Sequence, residues 1–462
     1  MNVIVIVMDS LRVDHVGCYG SSVRTPHIDR VAQEGTLFAN AFSESLPTLP
    51  TRTTWWTGRV NFPFRPWQPF ELGDLLLAEV LWDKGYTSAL ITDVYHMHKP
   101  MYNCGRGFDT TVFVRGQEYD PWIVDERIPV DLSRHRLKGD ASDALWRPRF
   151  EQYQRNMSAV QGEEDYFAPR VVKEAIRWLD NQVMAKGRKD QLFLWVDLFD
   201  PHEPWDPPEP WRSMYDPGYD GQEIIDPVAG DVAGYMTPRE VAHTRALYAG
   251  EVTFVDRWAG VLLDRVRELG LWEDTLLMLT TDHGEPFGEH GYIRKARPYN
   301  HEQLVHIPWI VRHPGGLGGG RRIEALVQTT DLMPTILDVL QIPWPLEQVY
   351  RAPTRTMFPQ DMPVAWQGVD LHGVSLLPLM RGDVEAVRPY AYTGHYGRQW
   401  SIRSHEWAYL LNVDGSGGPE LYHRPSDPQE QHNVAAGHPE VADMLELELR
   451  RWVETLRVSQ YP

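Results

Sequence analysis

The sequence predicts an α/β protein: a doubly wound, mainly parallel sheet with helices on both faces, followed by a small antiparallel sheet with one helix. Three observations point there. Short, continuous apolar runs such as Val3 to Met8 have the character of strands buried on both faces. These runs alternate with capped helical segments. From about Pro389 the pattern changes to short strand-like pieces closed by a single helix.

Taken in order, Val3 to Met8 is a strand that delivers Asp9 to its carboxyl end, where open α/β sheets place their ligands. Thr25-Pro26 opens a short helix that ends at Gly35, with Thr25 as its N-cap. Leu75 to Lys84 is expected to be helical, with Asp74 as N-cap and Gly85 as the stop. Thr87 to Thr92 reads as a second strand, and Arg170 to Val183 as an amphipathic helix. Leu192 to Leu198 is a third strand that carries Asp197, with Asp200 just beyond. After a helix from Val255 to Leu269, the strand Thr275 to Thr281 delivers Asp282 and His283. Another helix spans Asp331 to Leu340, and a Pro-rich connection runs from Pro343 to Pro363. The tail shows strand-like pieces at Trp400 to Arg403, Trp407 to Leu411 and Glu420 to His423, then a helix from Pro439 to Val453. A main domain over 1–365 and a C-terminal subdomain over 366–462 are expected. Residues 110–165 and 203–240 are rich in Pro, Trp, Tyr and Asp with weak periodicity, and read as irregular lids or binding loops.

With 462 residues, 42% hydrophobic and 18 of them Trp, the chain buries a large core and is not disordered. Its 45 Lys and Arg against 64 Asp and Glu give a formal charge of −19, which repels nucleic-acid backbones and anionic membranes. An anionic small-molecule substrate would therefore need a local positive site, most simply a metal ion with a few Arg, Lys and His. Cys18 and Cys104 are too few for a disulfide framework. The opening MNVIVIVMDS has no basic region or cleavage site and is too short to span a membrane, so a cytoplasmic location is expected. Oligomeric state is not written in the sequence; a homo-oligomer is compatible with the long tail and insertions.

Two groups of residues carry chemistry. Asp9 and the run Asp282-His283-Gly284-Glu285, with Gly288 and His290 following, place carboxylates and imidazole at strand ends, a donor set suited to a divalent cation. A lone strand-end Asp also serves as a helix cap. The second group is Pro47-Thr48-Leu49-Pro50-Thr51-Arg52. A hydroxyl between prolines can open a helix whose N-terminus favours an anion, with Arg52 one turn on. Thr48 is either a nucleophile activated by a metal or a plain N-cap.

Together the segments NVIVIVMDSLRVDHVGCYG, TPHIDRVAQEGTLFANAFSESLPTLPTRTTWWTGR, TLLMLTTDHGEPFGEHG and ELYHRPSDPQEQHNVA resemble the sulfatase branch of the alkaline phosphatase superfamily. The resemblance implies a large mixed sheet flanked by helices, a smaller C-terminal antiparallel sheet, and a metal-assisted ester hydrolase site at the strand carboxyl ends. Four departures bear on the chemistry. Thr48 stands where sulfatases carry the Cys or Ser that is oxidised to formylglycine, and threonine cannot yield that aldehyde. It is similar instead to the threonine nucleophile of nucleotide pyrophosphatase/phosphodiesterases. Ser10 replaces the second Asp of the family's Asp-Asp pair, and the Asp-Asn pair is Asp282-His283, as in phosphonate monoester hydrolases. An imidazole shifts preference from Ca²⁺ toward Mn²⁺, Zn²⁺ or Fe²⁺. Val94 stands where sulfatases carry a sulfate-binding Lys, although His96 remains.

The resemblance implies one divalent metal held by Asp9, Thr48, Asp282 and His283, with Arg52, Lys295 and His202 stabilising the ester oxygens and His202 or His96 protonating the leaving group. His98, Lys99, Asn103 and Arg106 follow the second strand and are expected near the anion. A second metal would fall to Asp200, His202 and His395. The expected activity is hydrolysis of phosphate diesters, phosphate monoesters or phosphonate monoesters. The alternatives are a sulfuric ester hydrolase that uses Thr48 directly, and a non-catalytic binding protein on the same scaffold. Trp55, Trp56, Trp67, Trp122 and Trp205 fit either a core or a stacking pocket.

Overall fold

The computed structural model describes the chain apart from residues 100, 296–298, 346–348, 351–363, 367–369 and 461–462. The strands are β1 (Asn2–Met8), β2 (Thr36–Phe42), β3 (Thr87–Thr92), β4 (Thr110–Phe113), β5 (Leu192–Leu198), β6 (Gly230–Asp231), β7 (Thr275–Thr280), β8 (Tyr292–Ile293), β9 (His306–Arg312), β10 (Arg321–Gln328), β11 (Val349–Tyr350), β12 (Val364–Trp366), β13 (Ala391–His395), β14 (Gln399–Arg403), β15 (Trp407–Asn412) and β16 (Glu420–His423). The α-helices are α1 (Pro26–Glu34), α2 (Thr48–Thr57), α3 (Leu77–Asp83), α4 (Asp143–Met157), α5 (Phe167–Asp180), α6 (Pro238–Glu268), α7 (Glu302–Val305), α8 (Leu332–Val339), α9 (Leu377–Arg381) and α10 (Pro439–Gln460).

The main sheet has eight strands in the order β10-β2-β9-β7-β1-β5-β3-β4. Only β9 runs against its neighbours, β2 and β7; the other pairings are parallel. Alternation along β1 explains the layers. Ile4, Ile6 and Met8 face one core with α1, α5 and α6, while Val3, Val5 and Val7 face a second core with α2, α3 and α8. The parallel strands end together, so Asp9, Asp93, Asp197 and Asp282 gather at one rim.

The second core fastens α2 to the sheet. Trp195 of β5 is fully buried, with its ring centroid 5.7 Å from Trp55 and 5.4 Å from Trp56. Trp56 in turn stacks on Phe70 at 5.3 Å. Trp55, Trp56 and Trp205 are therefore core residues. A small antiparallel sheet, β13-β14-β15-β16, packs with α10 around a third core that includes Phe62, Leu445 and Leu449. Strand β13 stitches this unit to the segment before α2: Gly394 N–H donates to Glu44 O at 2.9 Å, and Leu46 N–H donates to Gly394 O at 3.1 Å. A Cβ on Gly394 would lie 2.2 Å from the Phe62 ring, so this close approach requires glycine.

Several elements differ from the sequence reading. β2, β9, β10 and β13 were not expected as strands. β9 contains Pro308, normally excluded from central strands, and it falls where the β2 pairing slips between Phe38 and Ala41. The segment 110–165 is not irregular throughout, since it holds β4 and α4. α6 begins at Pro238 rather than near Val255, opened by a capping box between Thr237 and Glu240. Gly250 obscures the helix in sequence but is needed there, because a Cβ would meet Trp211 O at 2.3 Å. α3 starts at Leu77, and Asp74 pairs with Arg65 at 2.7 and 2.9 Å instead of capping it. Thr25 occupies the N-cap position, yet its hydroxyl accepts from Gly17 N–H at 2.8 Å and not from the helix. Most of the Pro343 to Pro363 connection, and the stretches flanking the expected boundary at 365, lie outside the described residues.

Replacing Trp195 by Ala should lower stability by about 3–5 kcal/mol, read as a shifted urea midpoint.

Candidate active site

Asp9, Asp282 and His283 each offer a ligand atom within 4.8 Å of the others, and all three are fully buried. Among the described residues no other trio of His, Cys, Asp or Glu does so. Tight turns after the strands aim these groups. Ser10 has φ +63°, in the region that favours glycine, which turns its N–H toward Asp282 Oδ1 at 3.1 Å while its hydroxyl donates to Asp9 Oδ1 at 2.9 Å. Asp282 Oδ1 also accepts from the His283 N–H at 2.9 Å. His283 Nδ1 lies 2.8 Å from Gly284 O, a carbonyl that can only accept, so the proton sits on Nδ1 and Nε2 is left bare. That Nε2 is buried with no hydrogen-bond partner. An orphaned imidazole lone pair beside two carboxylates, with its other nitrogen fixed by a carbonyl, fits a divalent metal.

Charge supports the same fit. Arg52 is fully buried, and its Nε and Nη2 hold Asp197 at 2.9 and 2.6 Å. Nη1 donates to Asp282 Oδ2 at 2.8 Å and to Thr48 O at 3.0 Å, and Nη2 also donates to Asp9 Oδ2 at 3.1 Å. Three carboxylates share one guanidinium out of reach of water, so two negative charges remain for a dication to balance. Without one, burial and the Asp282 charge push the Asp9 carboxyl up, and burial likewise raises Asp197. Burial pushes His283 down to about 4, keeping it neutral as a ligand must be.

All five N–H donors of Arg52 are thereby engaged, which corrects the expectation that it grips ester oxygens. It positions the carboxylates and α2. Thr48 is the first residue of α2, its φ of +24° is strained for a β-branched residue, and its side chain is 2% exposed. The other α2 hydroxyls donate to α2 carbonyls or to Ser45 O. The Thr48 hydroxyl has no hydrogen bond among the described residues.

Thr48 lines a cleft of about 250 Å³ with His96, His202 and Lys295. The structure thus brings these four sequence candidates together. Lys295 Nζ lies 2.8 Å from Glu285 and 3.1 Å from Glu203, and these carboxylates outweigh burial to keep it protonated. His202 Nδ1 contacts Glu203 O at 2.7 Å, its ring stacks 3.9 Å from Phe199, and burial pushes it down to about 3. His96 Nε2 sits 2.9 Å from Glu118 Oε2. Burial alone would raise Glu118, but the His96 and His202 charges carry it down to about 2.

Other expectations are corrected. His98, Lys99, Asn103 and Arg106 do not line the cleft. His98 stacks on Phe113 at 3.8 Å and burial pushes it down to about 4, while Lys99 lies over Tyr95 at 5.1 Å. Asn103 donates to Phe70 O at 3.2 Å, and Arg106 to Glu71 O at 2.9 Å, so both brace the preceding loop. Asp200, His202 and His395 do not form a second metal group, since Asp200 turns to Gln117 at 2.5 Å. Trp122 lies beneath Arg170 at 4.9 Å, whereas Trp67 does line the cleft. The sequence reading missed Glu203, Glu118, Tyr119, Trp146, Arg149 and Arg294 in the cleft wall. Glu203 adjoins His202 and Arg294 adjoins Lys295, so both were within reach of inspection; the others sit in the weakly periodic segment 110–165.

The sulfatase family profile matches residues 1–342. The arylsulfatase of Clostridium perfringens (strain 13 / Type A) is 24% identical over 74% of this chain and 76% of its own length. Arylsulfatase K of Bos taurus is 24% identical over 99% of this chain and 82% of its own length. Among solved structures, the phosphonate monoester hydrolase of Agrobacterium radiobacter superposes with a TM-score of 0.73 at 22% identity, over 98% of this chain and 96% of that one.

Adding Mn²⁺ or Zn²⁺ should raise the melting temperature, by about 2.7 kcal/mol of stability at a hundredfold excess over Kd, and Asp282→Asn should abolish the rise. Gly284→Ala should weaken the same response, because its Cβ would fall 2.1 Å from Gln303 O and displace the His283 loop.

Proposed function

This chain belongs to the sulfatase family, and from that premise we propose that it is a metal-dependent hydrolase that cleaves phosphate diesters, phosphate monoesters or phosphonate monoesters through Thr48. One observation carries the reading: a hydroxyl with no hydrogen bond to any described residue, on a strained first helical residue, opens onto a cleft shared with Lys295 and His202, and the carbonyl of that same residue shares the Arg52 guanidinium with Asp9 and Asp282. Asp9, Asp282 and His283 would hold the metal, with Mn²⁺, Zn²⁺ or Fe²⁺ suiting the imidazole better than Ca²⁺. When bound, such an ion supplies positive charge that lowers the hydroxyl pKa and draws electron density from the ester oxygens.

The chain's own residues then do the following. Thr48 Oγ, its proton released to water, attacks phosphorus in line, forming the Oγ–P bond as the bond to the leaving oxygen breaks. Lys295 stabilises charge on the non-bridging oxygens, while His202, its Nδ1 held by the Glu203 carbonyl, lines the same cleft. His96, whose Nε2 lies 2.9 Å from the Glu118 carboxylate, gives the leaving oxygen its proton. Water then cleaves the threonyl ester and Thr48 regains its proton. Threonine cannot become formylglycine, which separates this route from the aldehyde chemistry the resemblance implies for sulfatases.

A sulfuric ester hydrolase is the second reading, favoured by the arylsulfatases among the relatives, because the same groups can receive a sulfate. A non-catalytic binding protein is disfavoured by the buried, partnerless His283 Nε2, which a site without chemistry has no reason to keep unsatisfied. The two unpaired cysteines suit a cytoplasmic home. No helix among the described residues is long and apolar enough to cross a membrane.

Turnover of aryl phosphate mono- and diesters, phosphonate monoesters and sulfates should be compared in Mn²⁺, Zn²⁺, Fe²⁺ and Ca²⁺. Phosphorus esters with a transition metal should react fastest, and faster sulfate turnover selects the second reading. Thr48→Ala should lose at least about 10³-fold in kcat with its melting temperature little changed, while Thr48→Ser retains part of the rate. Undiminished turnover in Thr48→Ala defeats the nucleophile assignment.

A further inference from the structure

The cleft's cations are nearly all committed. Lys295 is shared by Glu203 and Glu285, and His96 lies against Glu118. Arg294 donates to Asp226 at 2.5 Å, to Pro227 O at 3.1 Å and to Glu203 at 2.5 Å. Arg149 is different. It stands half-buried on α4 in the cleft wall, 4.4 Å from the Tyr119 ring centroid and 5.1 Å from that of Trp146. It makes no hydrogen bond or ion pair with any of the described residues. Asp226 feels its charge but is taken by Arg294.

In a chain with 64 acidic residues against 45 basic ones, an arginine that lines a cleft and lacks a carboxylate is conspicuous. Two aromatic faces hold its guanidinium without using its N–H donors. Its planar fork is thus preset for a second oxyanion, which it can bind in bidentate fashion. Trp67, Tyr119 and Trp146 supply flat apolar walls to the cleft that Arg149 and Thr48 both line. Resting on the ester-hydrolase reading of this cleft, we propose that the substrate carries, besides the ester group attacked by Thr48, a second anionic group of carboxylate, phosphate or sulfate type that docks on Arg149.

The test is equilibrium binding, by calorimetry in Mn²⁺ buffer at low salt, of phenylphosphonate and 3-carboxyphenylphosphonate, neither of which has an ester to cleave. The carboxylated compound should bind wild-type protein about tenfold tighter, as a charge-assisted bidentate contact would provide. Raising the salt should shrink that ratio. Arg149→Gln should bring it near one, and Arg149→Lys should keep part of it, since lysine retains charge without the fork. Equal binding by wild type, the same preference in Arg149→Gln, or no binding of either compound overturns the proposal. The two readings separate cleanly. A binding preference without hydrolysis of any ester sinks the catalytic assignment alone. Hydrolysis with no preference for acid-bearing esters sinks this one alone.

Discussion

One guanidinium organises the molecule. Arg52 reaches from α2 to Asp9, Asp197 and Asp282, the carboxylates that end β1, β5 and β7, in a place with no exposure to water. Such a cluster is expensive to desolvate, and it persists because every donor of the guanidinium is matched. It sets where α2 begins relative to the sheet, and so where the Thr48 hydroxyl stands. It also leaves an uncompensated negative charge, which makes the neighbouring Nε2 of His283 useful to a cation. Fold and chemistry meet at this point, because the ion pairs that close the sheet rim are the same ones that create the demand for a metal.

Much of this was legible in the amino-acid order. The continuous apolar runs at β1, β3, β5 and β7 announced parallel strands, and their terminal acids announced a rim whose residues can hold a cation. Thr48 between two prolines marked the start of a helix. The edges of the picture were harder to read. β9 hides behind Pro308 and β2 behind its Ala and Asn residues, and both depend on neighbours far away in sequence. α6 is 31 residues long, but a glycine and several threonines break its pattern, and its packing against Trp211 is what requires that glycine.

Residue types were more legible than residue roles. The position of Arg52 near the site was readable, but sequence could not show that three carboxylates and the Thr48 carbonyl consume all its donors. His98, Asn103 and Arg106 looked like site residues because they follow a strand. The chain uses Asn103 and Arg106 to hold the loop at Phe70 and Glu71, and stacks His98 on Phe113. Conversely, Glu118, Trp146 and Arg149 come from stretches that looked formless and turned out to build the outer wall of the cleft. The scaffold carries the general chemistry on its strands, and the insertions carry what distinguishes this cleft from another on the same frame.

The hydrogen bonds from β13 to Glu44 and Leu46 tie the approach to Thr48 to residues more than three hundred positions later. During synthesis, β1 and α2 leave the ribosome long before that clamp exists. The segment leading into Thr48 therefore lacks these two hydrogen bonds until Gly394 is translated, and the cleft floor is braced from that side only late in synthesis.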